Sequence, residues 1–151
     1  MIMVRHSHHA VRPPRFRLEF AAFCEANRDA YVRYAQVRID DQVEARRCVD
    51  VVFDALGARW VAVLGGERPA ARAWRDLRTE TAQRTACAAG RAGRFHAFLR
   101  EDQADMMLLH HHLQLSVGNA AGLMGLTDHE ARALLRGAER DLRTFLGHCG
   151  G

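Results

Sequence analysis

The sequence predicts an all-α protein, and three observations predict it. Apolar residues recur at spacings of three, four and seven from Phe16 onward. No stretch alternates with period two over a useful length. Glycine, proline and capping residues punctuate the chain between the helical stretches. At 151 residues the chain is long enough to bury a core, as one compact domain or two small helical ones.

The first fifteen residues hold three arginines, three histidines, a Pro-Pro pair and no acid, the pattern of a mobile basic tail. A helix follows, with Phe16, Phe20, Phe23, Ala30, Tyr34 and Val37 near one face. Asp40 and Asp41 start a second helix that turns Ala45, Cys48, Val49, Val52, Leu56 and Trp60 inward and ends near 57–60. "VLGGERP" is a turn, and Pro69 suits the first turn of a third helix with Ala73, Trp74, Leu77 and Thr81 toward the core. "ACAAGRAGR" at 86–94 is small, glycine-bearing and without large apolar residues, as in a linker or a frayed helix end.

Helical signal resumes at Phe95, Phe98 and Leu99, then Met106, Leu109 and Leu113. Ser116 caps a short helix carrying Ala120, Ala121 and Met124, and Gly125 sits at the turn after it. Thr127 and Glu130 form a Thr-x-x-Glu capping box ahead of a final helix with Ala131, Leu134, Leu135, Ala138, Leu142 and Phe145 inward. The expected organisation is therefore a tail at 1–15, a helical module at 16–85, a linker at 86–94 and a second module at 95–147. That second module contains a helix-turn-helix: Ala121 is the small residue where two helices approach, and Gly125 tolerates positive φ.

Composition removes several function classes. No window approaches 18 uncharged apolar residues, and the start lacks the apolar core and cleavage site of a signal peptide, which places the chain in the cytoplasm and off the membrane. The four cysteines lie far apart, and Cys24 and Cys48 read as buried thiols. Histidines at 110–112 are consecutive, and neighbours on a helix point about 100° apart, so they cannot converge on one metal ion. There is no Gly-rich phosphate loop, no Gly-x-Ser-x-Gly elbow and no carboxylate pair with a cleft, so no enzyme, cofactor, metal or small-molecule substrate is expected. All 22 basic residues are arginine, as in a GC-rich genome. Residues 1–99 carry 17 of them against 11 acids, whereas 100–151 carry 5 against 7 acids, so the helix-turn-helix half is slightly acidic.

Two blocks then resemble a known family. "FAAFCEANRDAYVRYAQVRIDDQVEARRCVDVVFDALGARW" resembles the first conserved domain of sigma-70-family factors of the extracytoplasmic-function type, and "ADMMLLHHHLQLSVGNAAGLMGLTDHEARALLRGAERDL" resembles their C-terminal domain. They occur in the family's order and together cover about residues 16–143. The resemblance implies a transcription regulator of an actinobacterial kind, with promoter DNA and RNA polymerase core, or a regulatory protein in its place, as partners. It assigns DNA contact to the helix start, Thr127, Asp128 and His129, and to the stripe Arg132, Arg136 and Arg140. It assigns protein contact to Arg46, Arg47, Asp50 and Phe53.

This chain departs from the family at named positions. Arg46 and Arg47 stand where the family has an acidic pair, which reverses the charge offered to polymerase. "WRDLRTETAQRT" keeps Trp74 but places Thr79, Glu80 and Thr81 where Ala-Arg-Asn is usual, with no second aromatic to stack single-stranded bases. Asp128, Glu130, Glu139 and Asp141 offset the arginine stripe. A second expectation follows from these departures: a sigma-derived interaction module that binds a regulatory protein or itself without reading a promoter.

Overall fold

The computed structural model describes residues 14–66, 68–85 and 91–150, and every regular element among them is helical. In chain order these are α1 (Pro14–Ile39), α2 (Gln42–Ala58), α3 (Trp60–Leu64), α4 (Pro69–Arg84), α5 (Arg91–Phe98), α6 (Glu101–Met107), a π-helical turn (Leu108–His112), α7 (Val117–Met124) and α8 (Asp128–Gly150). None of the described helices is long and apolar enough to cross a membrane. The proposed basic tail lies outside the described residues up to position 13, and its last two residues already belong to α1.

Caps and breakers account for most boundaries. Asp40 adopts φ 60, a left-handed conformation that aspartate tolerates, and Asp41 then caps α2 by accepting the Glu44 N–H at 3.0 Å. Pro69 opens α4, where its missing N–H has no helical partner to lose. Ser116 caps α7 by accepting the Asn119 N–H at 3.0 Å.

Three boundaries differ from expectation. Past the break at Arg59 the chain makes the short helix α3, because Trp60 and Val63 both find the core. Residues 91–94, expected in the linker, form the first turn of α5. The helix expected through Phe95–Leu113 breaks at Leu99–Arg100, with Arg100 extended at φ −60, ψ 157. In an unbroken helix, residues nine apart stand about 13 Å apart along the axis. The break lets His96 and Asp105 come within 2.7 Å.

The helices share a single continuous core drawn from both stretches of the chain. Helix α1 packs on α2 and α4, α4 meets α7, and α6 lies against α5 and α8. The expected inward residues of α2 and α4 are buried, as are Ala120, Ala121, Met124, Ala131, Leu135 and Ala138. On α1 the deepest positions are Tyr31, Tyr34, Ala35 and Arg38, while Phe16, Phe20, Phe23, Ala30 and Val37 are half-buried. Aromatic rings fill the space between α1, α2 and α4. Tyr31 stacks on Phe53 with centroids 5.4 Å apart, and Tyr34 lies 4.6 Å from Trp74.

Helix α6 is the centre of the molecule. All seven residues from Gln103 to Leu109 are buried, so this stretch is enclosed on every side rather than along one stripe, while His111 and His112 at the end of the following turn are exposed. Each fully buried Met or Leu there contributes about 1.5–3 kcal/mol of apolar transfer. Beyond it the coil widens to a π turn, in which the Leu113 N–H reaches the Leu108 carbonyl at 2.9 Å.

Candidate nucleic-acid interface

The helix-turn-helix forms from α7 and α8, and its turn is fixed twice. Gly125 takes φ 72, where a side chain is strained, and the Leu126 N–H closes the end of α7 on the Ala121 carbonyl at 2.9 Å. A Cβ at Gly125 would also run into the backbone of Ala71 in α4. Glycine is thus required both by conformation and by close approach. Arg68, just ahead of α4, donates to the Gly125 carbonyl at 2.6 Å and to Glu130 at 3.1 Å. The turn is tied to the other half of the chain.

The capping box is reciprocal. Glu130 Oε1 accepts the Thr127 N–H at 2.8 Å, and Thr127 Oγ1 accepts the Glu130 N–H at 3.1 Å. The backbone hydrogen bond from Thr127, followed by Arg68, holds the Glu130 carboxyl below its ordinary range. Thr127, Asp128, His129, Arg132, Arg136 and Arg140 are all exposed, and the three arginines run along one face of α8 at intervals of four.

The acids near this stripe are largely engaged elsewhere. Glu139 faces His111 at 3.0 Å, Asp141 accepts from Gln103 at 3.0 Å, and Glu130 is held by its cap and Arg68. Arg140 reaches Asp141 at 3.6 Å. Arg132 and Arg136 meet no carboxylate among the described residues. Both residues are exposed in the first half of α8.

The residues expected to contact protein lie on α2 and fare differently. Arg46 and Arg47 are exposed, Arg47 sits 3.6 Å from Glu44, and Asp50 is paired with Arg28 at 2.8 Å. Phe53 is only 3% exposed, with Tyr31 stacked on its ring and the Arg28 guanidinium 5.0 Å from its centroid. It supports this face from beneath and does not present itself to a partner. One set of predicted residues sits on α8 against α6 and α7, the other on α2 against α1 and α4.

The most densely bonded polar group went unassigned in the sequence. Asp105 is fully buried and accepts four hydrogen bonds. Tyr34 Oη and His96 Nε2 reach Oδ1 at 2.7 Å each, while Trp74 Nε1 at 2.9 Å and Arg78 Nε at 2.7 Å reach Oδ2. Burial pushes this carboxyl up, but the His96 hydrogen bond and the Arg78 charge outweigh it and leave Asp105 below the ordinary carboxylate range. Burial, followed by the Asp105 charge, drives the Tyr34 hydroxyl well up. The constellation joins α1, α4, α5 and α6 through one buried carboxylate whose two oxygens each accept two hydrogen bonds. Its sequence signal was an acid inside the apolar run "ADMMLL".

No protein-family profile matches this chain, and neither the curated proteins nor the solved structures contain a match to it.

Proposed function

We propose that the chain is a sigma-70-like transcription regulator that binds duplex DNA through α8. The observation that carries this reading is the pair Arg132 and Arg136, exposed and met by no carboxylate among the described residues, in the first half of the second helix of a helix-turn-helix. That is the part of such a helix which enters the major groove. Planar guanidinium forks suit phosphate oxygens and the O6/N7 edge of guanine. The order of the two sigma-like sequence blocks supplies promoter DNA as the target. Selection from random duplexes at low salt tests the reading. Wild type enriches a sequence, affinity falls steeply with salt, and the double change Arg132→Ala, Arg136→Ala abolishes site preference and lowers the log–log salt slope by about one per lost phosphate contact. No enrichment, with the double variant behaving as wild type, makes the helix-turn-helix a scaffold.

A second reading rests on α2. Among the described residues no carboxylate reaches Arg46, while Asp50 pairs with Arg28, Arg47 with Glu44, and Phe53 is covered, so Arg46 is the charge this face offers a partner. In this reading the chain is a sigma-derived module that binds a regulatory protein or itself. Weak binding to polymerase core, strengthened by Arg46→Glu with Arg47→Asp, ties the charge reversal to partner choice. Unchanged binding on reversion removes that link.

A further inference from the structure

A helix seated in the major groove has a phosphate strand along each flank, because the groove is about 12 Å wide and a helix with its side chains about 10–12 Å across. Near its start, helix α8 offers cations to only one of those strands. At about 100° per residue, Arg132, Arg136 and Arg143 fall on one side of its exposed face, and Glu130, Gly137 and Asp141 on the other. Ala133, small and exposed, stands between the two sides. Asp128 and Glu139 border the arginine side, turned toward Gly118 and His111. On the second side Asp141 accepts from Gln103, and Arg140 reaches back to Asp141 at 3.6 Å. Arg140 stands about 15 Å along the axis beyond Glu130. Where α8 would enter a groove, its second flank therefore carries an acid and no base of its own.

The base that stands there belongs to the other half of the chain. Arg68, the residue ahead of α4, uses Nη1 for both of its bonds, to the Gly125 carbonyl at 2.6 Å and to Glu130 Oε1 at 3.1 Å. Its Nε and Nη2 meet no acceptor among the described residues, and its side chain is 56% exposed. Of the charged groups close to it in sequence, Arg72 pairs with Asp76 at 3.4 Å, and Glu67 lies outside the described residues. An open cavity of about 430 Å³, lined by Arg68, Ala71, Gly125, Leu126 and Glu130, leaves room for a phosphate beside the guanidinium. Arg68 thus cancels the charge of Glu130 and keeps half of its fork for an oxyanion.

We infer that, where α8 binds duplex DNA as proposed above, Arg68 contacts the phosphate strand on the flank of α8 opposite Arg132 and Arg136. The two halves of the chain then hold the duplex together, one strand each. Without Arg68, Glu130 would face that strand as a like charge.

Salt titrations of binding to two duplexes, the sequence enriched by selection and an unrelated one, test this. Wild type is compared with Arg68→Ala, Arg68→Lys and the double change Arg132→Ala, Arg136→Ala. Arg68→Ala should make the log–log salt slope shallower by about one on both duplexes. It should leave the preference between them intact, because a phosphate contact carries no sequence information. Arg68→Lys should keep the wild-type slope, since lysine brings the same charge to a phosphate. A slope unchanged in Arg68→Ala, while the double change still abolishes preference, overturns the inference and leaves DNA binding by α8 standing. Lost preference with an unchanged slope does the same, and assigns Arg68 to holding the turn alone. A slope as shallow in Arg68→Lys as in Arg68→Ala also overturns it. Wild type that binds neither duplex at low salt removes DNA binding by α8 and this contact together.

Discussion

Asp105 and Glu130 are both carboxylates held below their ordinary range, and each ties the second half of the chain to the first. Their settings are opposite. Asp105 is sealed from water and gathers donors from three other helices, whereas Glu130 lies on the surface and is held by its own helix start and Arg68. The same chemistry then has different consequences. In the interior, losing the carboxylate takes the acceptor from an indole, a phenol and an imidazole that water reaches poorly, and the closest partner from Arg78. At the surface, water takes over each bond that is lost. The buried tie sets whether the helices stay together, and the exposed one sets how the turn is held.

Removing the buried tie gives the largest expected effect. Asp105→Ala should lower unfolding free energy by about 3–5 kcal/mol, measured by urea denaturation, because it strands the partly buried Arg78 and three further donors. The pH dependence follows from the same carboxyl. Its folded value lies below the unfolded value of about 4, so its stabilisation is present above that value and is lost as pH falls through the folded one. Wild type should therefore weaken more steeply in acid than Asp105→Asn does. Equal slopes for the two proteins would remove Asp105 from the acid response.

The turn comes next. Gly125→Ala combines a left-handed backbone with a collision against Ala71, for a loss of about 2–4 kcal/mol on the same urea scale. A loss below about 1 kcal/mol would mean that α4 gives way easily and that the turn is not anchored by close approach. Smaller still, Thr127→Ala removes one half of the capping box and should lower stability by about 1 kcal/mol. Arg68→Ala should change stability least of all, since it faces water, yet it should raise amide exchange at residues 125–130 by freeing the turn from α4. Unchanged exchange there would leave Arg68 without a positioning role.

These contrasts also separate what was legible in the sequence from what was not. Capping and turn chemistry is local, so Asp41, Pro69, Ser116, Gly125 and the Thr127–Glu130 pair could be read directly, and each acts as its residue type suggests. The inward faces of α2 and α4 followed from spacing alone. Helix α6 did not, because a helix buried on all sides has no stripe, and its period carries no information about what surrounds it. Asp105 was invisible for the same reason: its partners lie up to 71 positions away, and only tertiary packing brings them together. On α1 a stripe centred on the phenylalanines hid Tyr31, and with it the support beneath Phe53. Of the site residues, the α8 stripe was legible as a surface because exposure follows helical period. The covered state of Phe53 depends on α1 and was not.

Helix α6 also bears on synthesis. Tyr34 and Trp74 leave the ribosome well before the residue that accepts their hydrogen bonds, and translation runs at about 5–20 residues per second. For those seconds the first four helices hold a phenol and an indole with no acceptor and an apolar face with no cover. The nascent N-terminal half therefore cannot settle into its final packing on its own. Its window of exposure to chaperones, proteases and neighbouring chains closes only once the segment around Asp105 has cleared the exit tunnel.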